Sequence, residues 1–146
     1  MKTIIYHFSF VLMLALVVGC GKNCAVSGKV AFPDGTPFTT GKVVFETPTF
    51  QASGPIKSDG TYTMGSSNPG DGVPKGTYKV SIQDVMQPTV EPTAPGKPPK
   101  LTFPKTLPID KKYIAGNTSG LTCEVKGRTT FNIEVTPPAE TSAKKK

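Results

Sequence analysis

Two kinds of hydrophobic patterning divide this chain. Residues 4–18 form an almost unbroken apolar run behind the positive charge of Lys2, and the run stops at Gly19-Cys20. From residue 24 onward, apolar and polar positions alternate with a period of two, the mark of strands that bury one face. Residues 24–32 put Cys24, Val26, Val30 and Phe32 on one side and Ala25, Ser27 and Lys29 on the other. Gly28 interrupts the inward row and marks a bulge or a close backbone approach. Pro33-Asp34-Gly35-Thr36-Pro37 turns the chain, because Pro presets φ and Gly accepts a positive one. Residues 41–47 form a second strand, with Val43 and Phe45 facing one way and Lys42, Val44 and Glu46 the other.

The next stretch, 47–54, shows no alternation and is expected to be irregular, followed by a short strand over 55–57. Ser58-Asp59-Gly60 is a turn signal, and residues 61–64 return from it with Tyr62 inward. After a Gly-, Asn- and Asp-rich loop over 66–73, residues 77–84 carry the cleanest pattern, with Tyr78, Val80 and Ile82 in and Lys79, Ser81 and Gln83 out. Leu121, Cys123 and Val125 form another inward row, and Phe131, Ile133 and Val135 the last one, closed by Pro137-Pro138 and a lysine-ended tail.

Between residues 86 and 108 the alternation fails, with seven prolines in 23 residues. Each proline removes a ladder donor, so this insert is expected to be an extended, partly polyproline-like excursion without strands. An insert of this length serves either as a functional arm lying over a sheet or as a solvated loop. The 15 Gly and 15 Pro of the whole chain also argue against helices. Seven short strands with turn signals between them predict an all-β fold, most economically a seven-stranded β-sandwich, since each inward row needs a facing row.

Charge narrows the classes of partner. The formal net charge is +7, but the basic residues are dispersed except for Lys144-Lys145-Lys146, and Arg128 is the only arginine. Base recognition leans on arginine and stacking rings, so no nucleic-acid partner is expected. A mild basic excess suits an anionic membrane or envelope polymer, and serves solubility equally well.

The apolar run covers 15 residues, short of the roughly 20 that a helix needs to cross the hydrocarbon. With Lys2 ahead of it and small residues at its exit, it reads as a secretory signal. Val17-Val18-Gly19-Cys20 resembles the lipobox of bacterial lipoproteins. The resemblance implies cleavage before Cys20, lipidation of the Cys20 sulfur, and a mature chain of 127 of the 146 residues, enough for one modest domain. Gly21 stands where inner-membrane-retained lipoproteins carry Asp, so an outer-membrane or cell-surface destination is expected. The resulting layout is a signal peptide over 1–19, an anchor and spacer over 20–23, the β domain over 24–136 and a polar tail over 137–146. The Asn117-Thr118-Ser119 triplet is then a chance match to a glycosylation site.

With Cys20 assigned to lipid, Cys24 and Cys123 remain, both on inward parity. An oxidising compartment suggests a disulfide between them, and closing so long a loop contributes up to about 4–5 kcal/mol in the chain-entropy model. The alternative is two buried small hydrophobes that never meet. The only histidine, His7, lies in the signal, which removes Ser-His and Cys-His pairs and typical zinc sites from the mature chain. Asp34, Asp59 and Asp71 each precede glycine, a spacing that suits turns, and none belongs to a loop with the dense oxygen ligands of a calcium site. No metal, cofactor or catalytic residue is expected. Tyr113, Phe103 and Phe50 lie outside the strand rows and are the available aromatics for a sugar platform.

Four blocks carry a second resemblance: Val26-x-Gly28-x-Val30-x-Phe32-x-Asp34-Gly35-Thr36-Pro37, then Gly41-x-Val43-Val44-Phe45, then Ser58-Asp59-Gly60-Thr61-Tyr62, then Gly76-Thr77-Tyr78-Lys79-Val80. Together they resemble a carboxypeptidase regulatory-like domain. The segments Lys112-Tyr113, Thr118 to Leu121, Glu124-Val125 and Phe131-x-Ile133-x-Val135 are similar to the ending of small bacterial lipoproteins that carry this domain. The resemblance implies an Ig-like, transthyretin-like (prealbumin-like) sandwich and no chemistry, because in the carboxypeptidases the zinc domain is separate and has no counterpart here. The expected function is therefore a lipid-anchored structural or binding module at the cell envelope, with a protein or glycan partner. The alternative is an accessory subunit that helps a surface enzyme or transport assembly bind glycan or peptide substrate.

Overall fold

A computed structural model of the 146-residue chain describes residues 23–91, 96 and 98–138. The expected signal segment with Val17, Val18, Gly19 and Cys20, and the lysine-ended tail, lie outside the described residues. The fold is all-β, with one short 3-10 turn at Lys111–Ile114. In the first sheet, β1 (Val26–Ala31) pairs antiparallel with a strand at Thr61–Thr63 and parallel with two short segments at Thr129–Thr130 and Ile133–Glu134. The second sheet is antiparallel throughout: β2 (Lys42–Thr47) lies between β3 (Phe50–Pro55) and β5 (Gly76–Gln83), and β8 (Leu121–Val125) flanks β5. The Thr61–Thr63 strand is β4, and Thr129–Thr130 and Ile133–Glu134 are β9 and β10. A separate ladder joins β6 (Thr89–Glu91) to β7 (Lys100–Thr102).

Alternation explains how the layers meet. Val26, Val30, Tyr62 and Ile133 from the first sheet and Val43, Phe45, Tyr78, Val80, Ile82 and Cys123 from the second belong to one buried cluster. Each sheet alone would leave its row in water, so face-to-face burial is the main source of stability. Two tyrosine hydroxyls fix main chain at the margins of the sheets. Tyr78 donates its hydroxyl to the carbonyl of Pro74, 2.8 Å away, a corner that fixes the entry of β5. Tyr62, opposite Gly28 in register, reaches past it to the carbonyl of Phe131.

Four expectations are corrected. The two sheets hold eight strands, not seven. Residues 47–54 are not irregular and 55–57 is not a strand: Phe50–Pro55 is a full strand paired along β2. Its inward residues include Ala52 and Gly54, too small to write a hydrophobic alternation. The final strand is split into β9 and β10 because the side-chain oxygen of Asn132 accepts from the Lys29 N–H, 3.0 Å away, where a main-chain partner would stand. The proline-rich insert does form a ladder, since Thr89–Glu91 and Lys100–Thr102 are free of proline and the rings sit on either side of them.

The two ends of the domain differ. At one end Cys24 bridges to Val73, beside the start of β5 and the end of β8. At the other end lie the last residues of β1 and β5, the Asp59 turn, which receives the Val30 N–H at Gly60, and Asp110, which bonds to Thr136. The polypeptide enters at the first end, and the proline-rich insert leaves from the second.

Candidate functional site

The residues singled out from the sequence fall at separate places. Cys24 and Cys123 are both buried, as parity predicts, but each carries a thiol and no S–S bond joins them. They face different tyrosines. Cys24 is near enough to Tyr78, and Cys123 to Tyr62, to contribute to the raised pKa values of those phenols, after the larger effect of burial. Burial also pushes the Cys123 thiol up, which keeps it protonated and inert near neutral pH.

The three Asp-Gly carboxylates close turns. Asp34 accepts from the Thr36 N–H at 2.9 Å. Asp59 accepts from the hydroxyl and N–H of Thr61 at 2.6 and 2.9 Å, and these bonds hold its carboxyl below the usual range. Asp71 accepts from the N–H groups of Ser66, Ser67 and Asn68 at 2.6, 3.0 and 3.0 Å, and its carboxyl is lowered mainly by the first of them. Among the described residues no group of three or more His, Cys, Asp and Glu side chains is placed to hold a metal ion. The three aromatics outside the strand rows do not form one platform. Tyr113 is buried, Phe50 packs on Tyr78 with ring centroids 6.0 Å apart, and only Phe103 of the three is exposed.

Two surface features were not read from the sequence. The first is a shallow cavity of about 460 Å³ on the outer face of the second sheet, lined by Glu46, Thr47, Pro48, Thr77, Lys79 and Thr122. Glu46 and Lys79 face each other across β2 and β5. Gly116 packs against the Glu46 carboxylate so closely that a Cβ there would lie 2.1 Å from Oε1. Its accessible surface, to which Tyr78 also contributes, is mostly apolar, with Glu46 and Lys79 as the charged members. Outward parity was legible at Glu46, Lys79 and Thr122; that these strands and the Thr47-Pro48 turn together enclose a cavity has no local signature.

The second feature is the insert itself, which stands out as an arm. Its exit is marked by an unusual backbone geometry and an ion pair. Asp84 adopts φ 56°, in the left-handed region, and its carboxylate pairs with Lys42 at 2.9 Å. Gly41, at φ 89°, leaves room for this departure, since a Cβ there would meet the Gln83 carbonyl at 2.3 Å. A cleft of about 470 Å³ lies at the arm's base between Val85, Met86, Pro88, Leu107 and Ile114. The large hydrophobic side chains exposed among the described residues are Met86, Leu101 and Phe103, at 37, 54 and 59 %. All three belong to the insert. Isolated exposed apolar residues are ordinary, whereas their concentration on one protruding element is informative.

No family model and no curated protein matches this chain. Among solved structures it is similar to a DUF3823 family protein from Bacteroides ovatus ATCC 8483, at 18 % sequence identity and a TM-score of 0.45. The similarity covers 79 % of this chain and 45 % of that one, so this chain spans less than half the length of that neighbour.

Proposed function

We propose that this protein is an exported lipoprotein, held at the outer membrane or cell surface through Cys20. Its Ig-like, transthyretin-like domain of the carboxypeptidase regulatory-like type acts as a non-catalytic binding module. The observation that supports this reading is the relation between anchor and domain. Among the described residues pairing starts at Cys24, which bridges to Val73, and by sequence only Gly21-Lys22-Asn23 stand between the lipobox cysteine and that bridge. At no more than about 3.6 Å per residue such a spacer keeps the entry end of the domain within some 15 Å of the lipid. The opposite end, with the arm, is then presented outward. The polar turns and the buried thiols serve the fold, and the exposed chemistry is that of binding.

The test is cell fractionation of the full chain and of Cys20→Ser. The native chain is expected in the membrane fraction with fatty acid attached. The variant is expected as an uncleaved precursor or a released protein without fatty acid. Unchanged membrane attachment and mass for Cys20→Ser contradict the proposal.

A further inference from the structure

We infer that the β6–β7 arm is a docking element for another envelope protein, one that offers an apolar patch bordered by carboxylates. The inference rests on the surface-module reading for its location and on the arm's own chemistry for its specificity. Leu101 and Phe103 are two residues apart, hence on one side of β7 as it runs on, and both are more than half exposed. Met86 is exposed as well, and a cleft lined by Met86, Pro88, Leu107 and Ile114 lies at the base of the arm. Covering such side chains takes apolar area out of water, a gain that the arm's own domain leaves unused. In addition, β6 and β7 pair only with each other among the described residues, so each has an outer edge able to receive a further strand.

Charge selects the partner. Residues 92–109 contain Lys97, Lys100 and Lys105 and no Asp or Glu. Asp84, at the exit, is paired with Lys42, and Glu91 lies opposite Lys100 in register. By sequence the insert over 86–108 therefore carries net positive charge, complementary to carboxylates and repulsive to a second copy of itself. An anionic bilayer would satisfy the same charge, but the arm leaves the end of the domain opposite Cys24, away from the membrane that the anchor would hold. A protein partner fits this placement better than lipid.

The experiment is photo-crosslinking in intact cells with the full chain, carrying a benzophenone amino acid in place of Phe103 or, as a control at the entry end, of exposed Thr49. The expected result is an adduct with a different protein from position 103 and none from position 49. Peptide mapping is expected to place the link in an apolar segment flanked by Asp or Glu. Lys105→Glu, and independently Leu101→Ser, should each lower the adduct at least about fivefold, with circular dichroism unchanged. A lipid adduct, a self-adduct, no adduct, or an adduct indifferent to Lys105→Glu overturns the inference. Fractionation of the same cells separates it from the anchor. A Lys105-dependent foreign adduct on a chain without fatty acid keeps the arm and rejects the lipoprotein; a lipidated chain without that adduct does the reverse.

Discussion

The hydroxyl of Tyr62 and the carbonyl of Phe131 meet at 2.5 Å across the bare Cα of Gly28. A Cβ on Gly28 would stand 1.9 Å from that carbonyl oxygen and 2.9 Å from the Tyr62 hydroxyl. The glycine thus makes room for a bond that ties β4 to the split final strand across β1. Gly28→Ala forces main chain to move and is expected to cost about 1–3 kcal/mol or more. Tyr62→Phe leaves the carbonyl without this donor, at about 1–3 kcal/mol. Urea unfolding of the two single variants and the double variant checks both. Because they disrupt the same contact, the double should cost less than the sum.

Asp71 ties the 66–71 loop by three main-chain N–H bonds and by the Ser66 hydroxyl. Its folded pKa lies below the ordinary carboxylate value, and that of Asp59 does too. A depressed folded pKa means that the stabilisation is present above the unfolded value, about 4, and is lost as pH falls through the folded one. The melting temperature should therefore decline below about pH 4. Asp71→Asn should melt lower at neutral pH and show a smaller decline on acidification. A melting series in buffers from neutral to acid reads both effects.

Both core thiols should be shielded. Native protein is expected to react slowly with maleimide near neutral pH, because Cys24 and Cys123 are buried and burial raises the Cys123 pKa. After denaturation without reductant, both should label. Failure to label then would mean that an S–S bond joins them.

The arm should be dispensable for folding. Replacing residues 88–104 with a short Gly-Ser link removes a ladder that, among the described residues, pairs only within itself. It leaves the Asp84–Lys42 pair and the buried Ile109 and Tyr113 in place. Shortening the loop lowers its closure cost by only tenths of a kcal/mol to about 1 kcal/mol. Stability by chemical denaturation should stay within about 1 kcal/mol of native. A loss of several times that amount would show that the arm is part of the core assembly.

Much of the core was legible because period-two alternation reports burial directly. Val26, Val30, Val43, Phe45, Tyr78, Val80, Ile82, Cys123 and Val125 occupy the faces that their parity assigns. The turn at Ser58-Asp59-Gly60 was legible for its chemistry: Gly60 has φ 80° and Asp59 closes on Thr61. What failed had other causes. Strand β3 hides its inward side behind Ala52 and Gly54, and proline density obscured two clean three-residue strands. Val44 sits on the outward side of β2 yet is 1 % exposed, so its parity misjudges its burial. The outer-face cavity and the exposure of the arm depend on how segments distant in sequence come together, and no short window of sequence records that.

The central claim is that Cys20 begins the mature chain and carries lipid, holding the entry end of the domain to the membrane and turning the arm outward. Mass spectrometry of the N-terminal peptide from the exported protein tests this most directly. A peptide that starts at Cys20 with a lipid-modified sulfur is the predicted result. A peptide that starts elsewhere, or an unmodified Cys20 in the membrane fraction, would contradict it.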